Sequence, residues 1–267
     1  MKKWPIAIQV YTVDKEATED FEGTMRALKA MGYDGVELCD TYGGTAVGLK
    51  KILDEIGLEC VGAHVNLKQI EDDAILSDYA ATGIKYIAIP HLKAPNTEEE
   101  LAATIARIRA AGEACKAKGI QLLYHNHDFE FQKINDKYIL DHYYDEIPAD
   151  LLQTELDVCW VNVGGEEPAA YVRKYSGRSP LLHMKDFTGV KSSNMYNLIG
   201  QAAVRDESAA KFDYRPVGYG KQDVPAIVAA AEDAGCQWLV VEQDRCSMGR
   251  TALECARMSV NYLKSFL

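Results

Sequence analysis

"YIAIPHLKAPNTEEELAATIARIRAAGEACKAKGIQLLYHNH", residues 86–127, is the stretch whose reading decides the fold. It opens on an apolar, β-rich run, "YIAIPH" (86–91). A helical pattern follows, with Thr97 as the expected N-cap, glutamates at 98–100 suited to the positive end of the helix dipole, and Gly119 as the expected residue past the C-terminus. "IQLLYHNH" (120–127) then reads as a second strand. Strand, long helix and strand in this order predict two parallel strands joined by a right-handed crossover.

The same alternation runs outward in both directions. Upstream lie "IAIQVYT" (6–12), "GVELC" (35–39) and "ECVGAHV" (59–65), each followed by a helical pattern. In "DFEGTMRALKAMG", Phe21, Met25, Leu28 and Met31 share one helical face. Downstream lie "LLQTELDV" (151–158), "SPLLHMKDF" (179–187) and "QWLVVEQD" (237–244), with "TALECARMSVNYLKSFL" closing the chain. Eight such units in 267 residues predict a single (β/α)₈ TIM barrel over residues 1–267. An open doubly wound sheet is the rival, but no GxGxxG follows the first strand. Two excursions interrupt the rhythm. Residues 128–147 suggest a short hairpin around "NDK" (135–137). Residues 187–222 form a long polar stretch after the seventh strand, expected to lie over the active-site mouth.

The net charge of −11 argues against a nucleic-acid partner, and no apolar run reaches the length of a membrane span. The amino-terminal residues read as a first strand rather than a signal peptide. The seven cysteines are scattered, without a CxxC pair, and read as reduced thiols of a cytoplasmic protein. A homo-oligomer is compatible with the sequence.

Chemistry-bearing residues concentrate at predicted strand ends. Five of the six histidines lie there: His64, His91, His125, His127 and His183. Glu37, Glu155, Asp157, Asp186, Glu242 and Asp244 join them. A closed barrel brings these ends to one mouth. Pairs spaced by two (125/127, 155/157, 183/185, 242/244) would face the same side of their strands. A lone histidine at such a place is ordinarily a hydrogen-bonded rim residue, and a lone carboxylate a helix cap. A gathered set is costly in a low-dielectric mouth unless its members pair with one another or hold a metal. Mixed imidazole and carboxylate groups suit a divalent ion, with Mn²⁺ the leading expectation and Co²⁺, Zn²⁺ or Mg²⁺ as alternatives.

Through "YHNHDFEF" (124–131), "ELDVCWV" (155–161), "LLHMKDF" (181–187), "VGYGKQDVPAIVAAAEDAG" (217–235) and "VVEQD" (240–244), nearly the whole chain resembles the sugar isomerase/epimerase superfamily built on the xylose isomerase-like barrel. The resemblance implies one divalent cation held at the ends of strands five to eight. The Glu, Asp, His, Glu pattern of the ketose 3-epimerases carries over to Asp157, His183 and Glu242. At the fifth strand this chain has His125 in place of the glutamate, so either His125 is a ligand, or Glu130 or Glu155 reaches the metal instead. A histidine-rich fifth strand is closer to the keto-inositol dehydratase branch.

The expected activity is a metal-dependent isomerisation or epimerisation of a keto sugar through an enediolate. The alternative is β-elimination on a 3-keto-glycoside or keto-inositol. A non-catalytic sugar-binding barrel is the third reading. His127 is the candidate base, with Glu242 as ligand and base in the family's alternative. Lys185 either stabilises the enolate or makes a salt bridge to Asp157 or Glu155. His64, Glu130, Glu155 and Trp160 are the candidate substrate-binding residues. Trp160 serves equally well as core, and Glu130 as a solvated loop residue.

Overall fold

The computed structural model describes residues 4–191 and 212–267. Eight parallel strands close into a barrel: β1 (Ile6–Gln9), β2 (Gly35–Leu38), β3 (Glu59–His64), β4 (Tyr86–Ile89), β5 (Gln121–His125), β8 (Gln153–Asp157), β9 (Leu181–Met184) and β12 (Trp238–Val241). The sheet closes where β1 pairs with β12, Ile8 opposite Val241. Among the described residues, four shorter strands lie outside the barrel, as antiparallel pairs. β6 (Lys133–Ile134) and β7 (Lys137–Tyr138) form the hairpin expected around residues 135–137. Its two-residue turn places Asn135 and Asp136 at φ of 53° and 61°, left-handed conformations that Asn and Asp tolerate well. β10 (Asp186–Thr188) and β11 (Asp213–Arg215) flank the long excursion after β9. Most of that excursion, 192–211, is outside the described residues, and with it the expectation that it covers the mouth.

The helix in the opening stretch runs from Glu98 to Ala117. Thr97 caps it by accepting a hydrogen bond from the Glu100 N–H at 3.2 Å, and Gly119 adopts φ of 77° beyond its end. Its inward face buries Leu101, Ile105, Ile108 and Cys115 against the sheet. The helices together cover the outside of the barrel, where the large apolar core lies between the two layers.

Inside the barrel the apolar filling is small. Ala7, Val61, Ala88, Leu123, Leu181 and Val240 make an inner plug. Side chains on a strand alternate, so the residue two further along points the same way. Ala7 is thus followed by Gln9, Leu123 by His125 and Leu181 by His183, and Glu242 comes two residues after Val240, just past the end of its strand. The inner surface changes from apolar to polar in one step, toward the C-terminal ends of the strands.

The strands end earlier than the sequence suggests. β1 stops at Gln9 because its side chain accepts from the Tyr11 N–H and turns the chain into a 3₁₀ segment, Val10–Val13. β5 stops at His125, so strand alternation does not place His127. Lys185, Glu242 and Asp244 likewise lie beyond their strands. Of the four spaced pairs, 155/157 alone falls wholly within a barrel strand. A short helix, Val158–Val163, follows β8 directly.

All seven cysteines are free. Among the described residues, no helix is long and apolar enough to cross a membrane.

Candidate active site

Two overlapping groups of donor atoms sit above the apolar plug. The outer group is His125, Asp157, His183 and Glu242; the inner is His64, His125, Glu155 and His183. Within each group the donor atoms lie within 4.8 Å of one another. Strand register sets this convergence: His125 is opposite Glu155, Asp157 opposite His183, and Val240, two residues before Glu242, opposite His183.

In the outer group, His183 Nδ1 is 2.9 Å from Glu242 Oε2. His125 Nε2 is 3.8 Å from Asp157 Oδ2 and 3.9 Å from Glu242 Oε2. Asp157 divides its two oxygens. Oδ1 caps the helix that follows, accepting from the Cys159 and Trp160 N–H groups at 2.8 and 3.1 Å. Oδ2 accepts no hydrogen bond, although it lies 3.0 Å from the Lys185 ammonium. The helix cap is present on Oδ1, while Oδ2 faces the neighbouring donor atoms. Asn126 fixes its backbone, with Oδ1 accepting from the Asp157 N–H at 3.0 Å.

Lys185 also lies 2.9 Å from Glu242 Oε2 and from Asp244 Oδ1. The salt bridge expected to Asp157 is therefore present, as one of three. Burial works against the ammonium, but Asp157, Asp244 and Glu242 hold its pKa well above the usual lysine range. In the inner group, His64 Nε2 is 2.7 Å from Glu155 Oε2, and His183 Nε2 is 2.7 Å from Glu37 Oε2.

The carboxylates here far outnumber the fixed cations. Burial and the neighbouring Glu37 charge push Glu155 up to about 7. Burial also raises Asp157, to about 6, against the pull of Lys185. Burial opposes ionisation of Glu37 and Glu242 as well. Even so, His64 and His183 bring Glu37 down to about 2, and Lys185 and His183 hold Glu242 well below its usual value. His183 titrates well above the usual range because Glu155, Glu37 and Glu242 surround it and overcome its burial. Burial and the His183 charge lower His125, while burial and Lys185 lower His127.

Such a surplus of buried negative charge calls for protons or a cation. The outer donors fit a divalent ion. Ligand distances near 2.0–2.2 Å around one ion give donor–donor separations of roughly 3–4.4 Å, comparable with those seen here. The buried Asp157 Oδ2 accepts no hydrogen bond beyond its ion pair with Lys185, which retains Asp244 as a partner outside the donor set.

A cavity of about 260 Å³ opens above this group, near the lower end of the small-ligand range. His64, His125, His127, Lys185 and Glu242 line it. Asp157, His183 and Glu155 lie buried beneath it. Trp160 is 1% exposed and packs beside His127 at 5.2 Å between ring centroids, outside the cavity lining. Glu130 is not solvated: it is fully buried, accepting from Tyr124 Oη at 2.7 Å and from the His127 N–H at 2.8 Å. Glu130 is not among the residues that line the cavity. Asp186 stays out of the site. Its carboxylate instead accepts the backbone N–H groups of Gly218, Gly220 and Gln222, clamping the chain beyond β11.

The cavity is also lined by Tyr11, Cys39, Asn66, Gln69 and His91. Sequence reading placed His91 at a strand end and overlooked the others. Asn66 and Gln69 form a capping box after β3, and that local motif was the available signal.

A family model described as xylose isomerase-like TIM barrel matches residues 25–265. No curated protein matches the chain. Among solved structures, a sugar phosphate isomerase/epimerase from Parabacteroides distasonis ATCC 8503 aligns with a TM-score of 0.78 at 22% identity, covering 98% of both chains. The probable 3-DHS dehydratase AsbF from Bacillus anthracis aligns with a TM-score of 0.74 at 15% identity, over 97% of this chain and 98% of the other. An L-ribulose 3-epimerase aligns with a TM-score of 0.69 at 13% identity, over 98% and 94%. At these identities the likeness is one of fold.

Proposed function

Because the chain belongs to the xylose isomerase-like TIM barrel family, we propose that it is a divalent-cation-dependent isomerase or epimerase of a keto sugar. The observation that carries this reading is the outer donor group at the floor of the cavity, with Asp157 Oδ2 free of hydrogen bonds. His125, Asp157, His183 and Glu242 would hold the ion. A bound divalent cation supplies Lewis acidity to the substrate carbonyl and stabilises the charge that develops on its oxygen.

The chain's own groups supply the proton chemistry. His127 lines the cavity, and its Nδ1 makes no hydrogen bond. A neutral imidazole at the cavity wall is suited to removing the proton on the carbon next to the carbonyl. Glu130 holds the His127 backbone in place through its N–H. Lys185, itself lining the cavity, adds positive charge beside the developing oxyanion. Asn66 and Gln69 offer amide groups to sugar hydroxyls. Return of the proton to the opposite face gives an epimer, and return to the neighbouring carbon gives an isomer.

A second reading is elimination on a 3-keto-glycoside or keto-inositol, favoured by His125 where ketose epimerases keep a glutamate. Incubating the Mn²⁺-supplemented protein with a keto-sugar panel in D₂O separates the two. Deuterium entering intact sugar supports isomerisation or epimerisation. An unsaturated product supports elimination. Neither deuterium uptake nor turnover, with less than a tenth of an equivalent of metal bound after reconstitution, supports a non-catalytic sugar-binding barrel.

A further inference from the structure

On the metal-dependent reading above, we infer that Glu37 is a positioning residue that keeps a proton on His183 Nε2 and so leaves Nδ1 as the nitrogen offered to the cation. The two donor groups share the same two imidazoles, His125 and His183. The nitrogens of each ring face opposite ways. His183 turns Nδ1 to Glu242 at 2.9 Å and Nε2 to Glu37 at 2.7 Å. His125 turns Nε2 to Asp157 at 3.8 Å and Nδ1 to Glu155 at 3.4 Å. A neutral imidazole has one lone-pair nitrogen and one N–H. It therefore serves one group as a ligand and the other as a donor.

Pairing decides which group takes the lone pair. Each group has two members in the cavity lining, His125 and Glu242 of the outer and His64 and His125 of the inner. In the inner group His64 and Glu155 already meet at 2.7 Å, whereas Asp157 Oδ2 of the outer group accepts no hydrogen bond, so the ion belongs to the outer group. The inner carboxylates are then acceptors for the far N–H groups, and Glu37 makes the shorter of the two contacts. Its Oε2 accepts from Gln9 Nε2 at 2.9 Å as well as facing His183, which fixes the carboxylate from two sides.

The barrel is shaped around this carboxylate. The pairing of β2 with β3 shifts register between Val36 and Glu37, and Glu37 stands opposite Gly62. A Cβ at position 62 would lie 2.9 Å from Glu37 Oε1 and 3.1 Å from a Leu181 methyl. Val36 and Leu38 face the outer core, so Glu37 between them faces inward; the extra residue on β3 sets Gly62 opposite it, and the glycine leaves room for the carboxylate.

The test begins with wild-type protein carrying ¹⁵N-labelled histidine and loaded with Zn²⁺, read by ¹⁵N NMR. A protonated Nε2 and a metal-bound Nδ1 on His183 are expected. Metal on Nε2 with a proton on Nδ1 overturns the inference and leaves the proposed function standing. Metal-free Glu37→Gln and Glu37→Leu are then titrated with Mn²⁺ by calorimetry. Loss of an orienting partner of this kind typically costs 10–100-fold in affinity. That loss is expected for Glu37→Leu, with a smaller one for Glu37→Gln, whose amide oxygen still accepts. Parent affinity in both variants overturns the inference. Should either variant fail to fold, the wild-type spectrum decides alone. Failure of the wild type to bind either ion removes the metal reading and this inference with it.

Discussion

His183 sits where three strands meet in register, and both of its ring nitrogens are engaged by carboxylates. Replacing it with alanine removes one ligand from the outer group. His183→Ala is expected to lose at least 10–100-fold in Mn²⁺ affinity, the cost of an orienting partner being the lower bound for a direct ligand. Equilibrium dialysis measures it, and unchanged metal content would remove His183 from the site. His127→Asn tests a different role. It should keep its metal while kcat falls by about 10²–10⁴-fold, the usual contribution of general base catalysis. Steady-state kinetics beside metal analysis separates the two effects. His183 was legible in the sequence because it follows the apolar strand residue Leu181 by two positions, whereas His127 was legible only as a strand-end histidine, since β5 stops at His125. Tyr11, Asn66 and Gln69 were not, since their direction depends on a 3₁₀ turn and a capping box rather than on strand alternation.

At the scale of elements, the turn Phe129–Phe131 buries Glu130 against Tyr124 and the His127 backbone. Sequence reading put Glu130 in solvent or at the substrate because nothing local shows that Tyr124, six residues earlier, reaches across the turn. Burial raises its pKa from the usual 4.5 to about 8. The folded state therefore holds a proton that the unfolded chain releases. This contribution to stability is fully present below pH 4.5 and is lost progressively as the pH rises to 8. Urea unfolding of wild type and Glu130→Gln across this window checks it. The wild-type stability should fall relative to the variant by on the order of 4 kcal/mol. A constant difference would mean that the carboxyl is ionised throughout.

Asp186 poses a similar question for the base of the long excursion. Asp186→Ala leaves the Gly218, Gly220 and Gln222 N–H groups without that acceptor. A loss of about 1–3 kcal/mol in unfolding free energy is expected. The strands themselves were legible from apolar runs and turn glycines. Their ends were not, since Gln9 and Asp157 stop or redirect the chain through side-chain bonds to the backbone just ahead.

For the whole molecule, the barrel was readable because eight units fill the chain evenly and no alternative closes eight parallel strands. The convergence of His125, Asp157, His183 and Glu242 followed from that closure, while the layered arrangement beneath them did not. Glu37 was placed at the mouth, but its contact with His183, and the register shift that sets Gly62 opposite it, lie beyond period-two reasoning. An ion bound by the folded chain alone stabilises it by mass action. Mn²⁺ at 100 times its Kd should add about 2.7 kcal/mol, or roughly 5–10 °C in Tm for a chain of this size. Differential scanning fluorimetry with and without chelator reads this shift, which His183→Ala should abolish.

The most direct measurement is an anomalous difference map from crystals soaked in Mn²⁺. A single strong peak is expected within bonding distance of Asp157 Oδ2, His183 Nδ1 and Glu242 Oε2, with His125 Nε2 completing the set. No peak there at saturating Mn²⁺, or a peak held by His64 and Glu155 instead, would contradict the proposed metal centre and the chemistry built on it.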